Sequence, residues 1–173
     1  MVLFEDETIL TERPPLRSGW ALAGEQAKVS ITGNRGKRVL YGVLNPKTGK
    51  LVTAIDEKWN QEIFKVFLNK IKSCFRGWNI ILFLDRGTIH KAKQSMELAR
   101  DLKIELRWLP VACPELNPVE ELWLHLKGEV LSNRIAKTMI ELGQKALDYL
   151  NSLSRRECRQ KAGVLSNNFW LAT

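Results

Sequence analysis

The sequence predicts an α/β fold: a mixed sheet of three early strands and two later ones, with helices packed on it. Three observations carry this. The first third of the chain is rich in β-branched and apolar runs broken by turn residues. The middle alternates helical and strand periodicity. The last third reads as helix only. In chain order, "VLFEDETIL" is a strand with polar residues at its centre. "RVLYGVLNPKTGKLVTAI" is a hairpin, because Asn45, Pro46 and Gly49 punctuate two apolar runs. Phe64, Phe67, Leu68 and Ile71 recur at helical spacing between Gln61 and Cys74. Ile80–Leu84 is an unbroken apolar run, as expected of a strand covered on both faces. Ala92, Met96, Ala99 and Leu102 mark a second helix, "IELRWL" a further strand, and "NPVEELW" opens a third helix. Further helices follow Lys137. Alternating strands and helices after the hairpins place the two later strands parallel to each other.

A chain of 173 residues fits one domain with a buried core, residues 1–173. No apolar run approaches the ~20 residues of a membrane span, and the start lacks a signal peptide's basic and apolar regions. A cytoplasmic protein with no membrane partner is expected. Cys74, Cys113 and Cys158 lie far apart, as reduced thiols do. Two histidines, His90 and His125, are too few for an ordinary zinc site. The net charge of +8 favours a polyanionic partner. Residues 28–50 hold six basic side chains and no acid, and Arg155, Arg156, Arg159 and Lys161 form a second cluster. Acids crowd the first segment instead, at Glu5, Asp6, Glu7 and Glu12, a concentration that points to bound metal.

The stretch "LPVACPELNPVEELW" raises the question of what its glutamates do. Asn117 suits an N-cap and Pro118 the first helical position. Glu120 then falls third in the helix and completes a capping-box pattern, which by itself needs no chemistry. Val119, Leu122, Trp123, Leu126 and Val130 form one apolar stripe; Glu121 points away from it and Glu120 lies on its border. Asp85 ends the buried run at Leu84, the carboxyl end of a strand, where α/β sheets place ligands. A turn aspartate is the plainer alternative. Asp6 interrupts the first strand, costly unless compensated by a salt bridge, an exposed edge or a cation. Three carboxylates brought together repel unless cations lie among them, and oxygen ligands select Mg²⁺ or Mn²⁺.

The blocks "LFEDET", "GWALAGEQAKVSITG", "RVLYGVLNPKTG", "LDRGTIHKA", "LPVACPELNPVEELWLHLKG" and "KAGVLSNNFWL" span nearly the whole chain. In them the chain resembles the catalytic domain of the Tc/mariner superfamily of cut-and-paste DNA transposases, in particular the bacterial insertion-sequence branch. The resemblance implies a ribonuclease-H-like fold and an Asp-Asp-Glu triad, with 34 residues between the second and third acids as between Asp85 and Glu120. Asp6, Asp85 and Glu120 are then the catalytic and metal-binding residues. They would hold two Mg²⁺ ions, with Mn²⁺ able to substitute, for cutting transposon ends and joining the 3′-OH to target DNA. Double-stranded DNA, a homodimer or larger assembly on it, and a nucleoid location follow. Two departures stand out: many relatives have Asp-Asn where this chain has Asp85-Arg86, and their upstream helix-turn-helix modules are expected to be absent here. Two rivals remain, an inactive remnant that only binds DNA or a partner, and another nuclease of the same fold. Arg35, Lys37, Arg38, Arg86, His90, Lys91, Arg155 and Arg156 are the candidate DNA contacts. His90 alternatively makes a structural hydrogen bond at a helix start. Trp20 is a candidate stacking platform, whereas Trp59, Trp78, Trp108, Trp123 and Trp170 are expected in the core.

Overall fold

A computed structural model describes residues 1–173 except Pro14, Gly19, Gln26, Ala27, 30–34, Arg134, Ile135, Lys137, Ala172 and Thr173, so much of the block "GWALAGEQAKVSITG" lies outside the described residues. Five strands, β1 (Val2–Thr11), β2 (Lys37–Leu44), β3 (Leu51–Asp56), β4 (Ile80–Leu84) and β5 (Ile104–Trp108), form one sheet in the order β3-β2-β1-β4-β5. The first three are antiparallel neighbours, while β4 runs parallel to both β1 and β5. The expected mixed sheet is therefore present.

Between the strands lie α1 (Gln61–Cys74) and α2 (Lys93–Asp101), and after them α3 (Pro118–Leu126), α4 (Met139–Ser152) and α5 (Arg155–Lys161). Strand alternation splits the core into two layers. Leu3, Val39, Tyr41 and Val43 pack against Phe64, Phe67, Leu68 and Ile71 of α1. Phe4, Leu40 and Leu44 face Leu122, Trp123 and Leu126 of α3 and Leu142, Ala146 and Leu150 of α4. Trp123 is wholly enclosed. Truncating a buried aromatic of that size costs about 3–5 kcal/mol, so α3 is firmly seated. Among the described residues no helix is long and apolar enough to cross a membrane.

Several expectations are corrected. In α2 the buried residues are Ser95 and Ala99, and Met96 is 43% exposed. Ser95 enters the core because its hydroxyl donates to the Ile89 carbonyl at 2.9 Å. Val130 packs against the same core as the α3 stripe but stays partly buried, because Lys127–Leu131 widens into a π-helical turn that buries Leu131 more deeply. Trp78 and Trp170 are 56% and 42% exposed, so they are not core residues, although Trp170 lies edge-on to Phe4 and Phe83.

Register places the carboxylates. Phe4 pairs with Phe83 across the parallel seam, so Asp6 lies level with Asp85, just past the end of β4. β1 continues to Thr11 with β2 alongside and β3 following β2 as far as Val39, so Lys37 and Arg38 lie at a projecting tip beyond the end of β4.

Candidate active site

Asp6, Asp85 and Glu120 line one small pocket of about 200 Å³, closed by Leu109, Pro110, Ala112, Cys113, Pro114 and Asn117. Each reaches it from a different element. Asp6 stands on the central strand, facing the α3 side of the sheet. Gly42, its cross-strand partner, makes the room beneath: a Cβ there would come within 3.0 Å of the Trp123 ring. Asp85 follows the last residue of β4, and Glu120 sits in the first turn of α3.

Asn117 fixes that first turn. Its Oδ1 accepts the Val119 N–H at 3.2 Å, and its Nδ2 donates to the Glu5 carbonyl at 2.9 Å in a buried bond. One amide side chain thus caps α3 and ties it to β1 beside Asp6. An ionised Asp could cap but has no proton to donate, and a Ser or Thr hydroxyl would have to make both bonds from one atom. The capping box expected between Asn117 and Glu120 does not form. The backbone N–H of Asn117 is already donated to the Pro114 carbonyl at 2.9 Å, in the 3-10 turn Pro114–Leu116. Among the described residues nothing hydrogen-bonds the Glu120 carboxylate, which is left to the pocket. Glu121 is exposed, as its helical phase requires.

The carboxylates have unlike electrostatics. Burial pushes the Asp6 carboxyl up to about 8, and the charges of Glu120, Glu7 and Asp85 push the same way. The Trp123 indole N–H faces it and pulls the other way, without complete hydrogen-bond geometry. Asp6 Oδ2 is shielded and unpartnered among the described residues. Asp85 is held below the usual carboxylate range, first by His90, whose Nδ1 lies 2.7 Å from Oδ1, and also by the Gly87 N–H at 2.8 Å. One enclosed acid raised by its neighbours, beside one kept ionised, suits a divalent cation: oxygen donors converge and their repulsion awaits a positive charge.

The remaining candidates fall into three groups. Arg86 and Lys91 are exposed near Asp85, and the Arg86 Nε donates to the Leu109 carbonyl at 3.4 Å. Arg35 and Lys37 are exposed on the projecting arm, while Arg38 there pairs with Glu57 at 2.9 Å. Arg155 and Arg156 are exposed but lie at the opposite end of the sheet. The Arg155 backbone packs on Gly49 in the β2–β3 turn, and Arg159 donates to the Pro46 carbonyl. The first basic run is itself divided: Lys37 and Arg38 project past the end of β4 that carries Asp85, whereas Lys47 and Lys50 lie in or beside the same far turn as Arg159. His90 is 1% exposed, and of its two expected roles the hydrogen bond is the one present, between Nδ1 and Asp85 Oδ1. Trp20 is fully exposed. Sequence reading missed the second role of Asn117 and the fully buried Glu5.

Residues 1–143 match the family model described as DDE superfamily endonuclease. The 39 kDa protein of insertion element IS630 from Shigella sonnei is 28% identical over 155 residues, covering 88% of this chain and 45% of that protein. Among solved structures, a Mos1 transposase paired-end complex with the left transposon end superposes with a TM-score of 0.75 at 13% identity, over 95% of this chain and 52% of that one. A Mos1 paired-end complex with Mg gives 0.75 at 14%, with the same coverage. At such identity the structures show the fold alone, and it is the ribonuclease-H-like one. The chain spans about half the length of these relatives.

Proposed function

Since the chain belongs to the DDE superfamily endonucleases, we propose that it is the catalytic domain of an insertion-element transposase that cuts DNA at element ends and joins the freed 3′-OH to target DNA. The observation that carries this reading is the convergence of Asp6, Asp85 and Glu120 on one pocket from three separate elements. These residues would hold two divalent ions, Mg²⁺ or Mn²⁺. When bound, such ions lower the pKa of the attacking water or hydroxyl and stabilise the leaving oxygen.

The chain's own residues supply position and charge. Asp6, on the central strand, would hold a cation in its ionised form, and burial raises the cost of that form until a positive charge lies beside it. Asp85 is aimed by two hydrogen bonds, from the His90 ring and the Gly87 amide, so its carboxylate is ionised and oriented beforehand. Glu120 projects from a helix pinned to β1 through Asn117, which fixes its reach across the pocket. The scissile phosphate would lie over this pocket, with Arg86, Lys91 and the arm bearing Arg35 and Lys37 along its flanks. Recognition of element ends falls to modules outside this catalytic unit, and a dimer or larger assembly pairs two ends.

A plasmid assay tests both halves of the reading. Fused to a DNA-recognition module, the parent should nick supercoiled DNA with Mn²⁺ and stop in EDTA; an Asp85→Asn variant should not nick. Absence of metal-dependent nicking in a fusion that binds DNA would leave a binding remnant. For the unfused chain, log K against log salt should be steep, and replacing Arg35, Lys37 and Arg38 with Ala should lower the slope by roughly 2 units. Replacing Arg155 and Arg156 should lower it less. An unchanged slope in the triple variant would make the arm a merely solvated surface.

A further inference from the structure

A second set of ligating atoms lies on the face of β1 opposite Asp6. Glu5 and Glu7 alternate with Asp6 along the strand and point toward α1 and α2. There His90 enters from the segment after β4, packed by Phe64 and Trp59. One oxygen from each glutamate and a ring nitrogen of His90 lie within 4.8 Å of one another. Glu5 is wholly buried, and among the described residues neither of its oxygens has a hydrogen-bond partner. The same holds for His90 Nε2 and Glu7 Oε2. A buried carboxyl with both oxygens unpartnered either keeps its proton, as burial and the nearby charge of Glu7 favour here, or gives it up to a cation lying against it.

The imidazole decides which positive charge fits. His90 Nδ1 lies 2.7 Å from Asp85 Oδ1, and an ionised carboxylate only accepts, so Nδ1 carries the proton. In the neutral ring Nε2 then presents a lone pair toward Glu5 Oε2, 3.6 Å away. That separation is too long for a hydrogen bond. It is close to the spacing of two ligands on one ion: nitrogen and oxygen each ~2.0–2.2 Å from a zinc-sized cation stand roughly 3.3–3.6 Å apart. A histidine ligand whose other ring nitrogen donates to a carboxylate is also the recurrent arrangement in metal sites.

We propose that Glu5, Glu7 and His90 Nε2 form a structural metal site behind the sheet, distinct from the pocket of Asp6 and Glu120, which takes one transition cation of the Zn²⁺ or Mn²⁺ class. Two carboxylates neutralise the ion, and the imidazole favours such a cation over Mg²⁺. Glu7, partly buried beside Trp59, already places one carboxylate oxygen within the cluster. Through His90 the ion would stiffen Asp85. The site stands whether or not the chain cuts DNA.

The test uses Zn²⁺ and the whole chain with the front pocket disabled by Asp6→Asn and Glu120→Gln. Equilibrium dialysis should find one tight equivalent, and X-ray absorption should show one imidazole with nitrogen and oxygen at ~2.0–2.1 Å. Adding His90→Gln should remove the imidazole signature. Adding Glu7→Gln, at a partly exposed position that tolerates change, should weaken Zn²⁺ at least about tenfold. No tight equivalent in the double variant, or one indifferent to Glu7→Gln, would overturn the proposal.

Discussion

Replacing Glu120 with Gln is expected to abolish Mn²⁺-dependent nicking while moving stability by no more than about 1 kcal/mol. The two effects separate because Glu120 caps nothing. Asn117 supplies the cap through Val119, and its own N–H is taken by Pro114. The substitution therefore removes a charge from the pocket and no hydrogen bond from the helix. Glu121→Gln, one residue on and exposed, should change neither property. Nicking of a supercoiled plasmid by fusions carrying each variant, with urea unfolding of the same proteins, measures both. A Glu120→Gln variant as active as the parent would remove Glu120 from the triad. A dead Glu121→Gln variant would move the third ligand by one position.

Asp6→Asn should stabilise the metal-free protein at alkaline pH and lose metal binding. In the folded chain the Asp6 carboxyl titrates at about 8, against an ordinary value near 4 when unfolded. Between those values the folded state binds the extra proton, so stability falls as pH rises through that window. The contribution is fully present below pH ~4 and is lost by the time pH passes about 8. Asparagine has no proton to lose. The variant should therefore gain roughly 1–3 kcal/mol over the parent at pH 8.5 without metal, shrinking toward pH 5. Divalent metal should stabilise the parent and narrow the gap, since binding to the folded state adds to its stability. For the same reason the parent's apparent Mn²⁺ affinity should climb between pH 6.5 and 8.5, because the proton must leave before the cation binds. Thermal unfolding of both proteins across that range, with and without Mn²⁺, checks each sign. A parent whose stability rises with pH would show that Asp6 is already ionised.

The legible parts of this fold were those written in local periodicity. The buried face of α1 falls on the four residues its spacing indicates, and the hairpin turns where Asn45 and Gly49 stand. The phase of α3 separates Glu120 from Glu121 for the same reason. Hydrogen bonds are where the reading fails. Ser95 is buried because of a carbonyl six residues away, and the capping box is lost to a turn begun by Pro114. Placement across the sheet was also hidden: Lys37 and Arg38 project past the end of the sheet that carries Asp85, whereas Lys47, Lys50 and Arg159 gather at the far turn. Strand alternation alone puts Glu5 and Glu7 on the face opposite Asp6. What made Glu5 notable, its complete burial beside His90, depends on packing from α1 that no spacing encodes.

Anomalous scattering from crystals of the chain soaked in Mn²⁺ with a short DNA duplex tests the central claim most directly. The account predicts manganese density in the front pocket, within ~2.3 Å of oxygens from Asp6, Asp85 and Glu120 and of a phosphate. Density that involves Asp85 but leaves Asp6 and Glu120 unliganded, or ordered DNA over a pocket free of manganese, would contradict it.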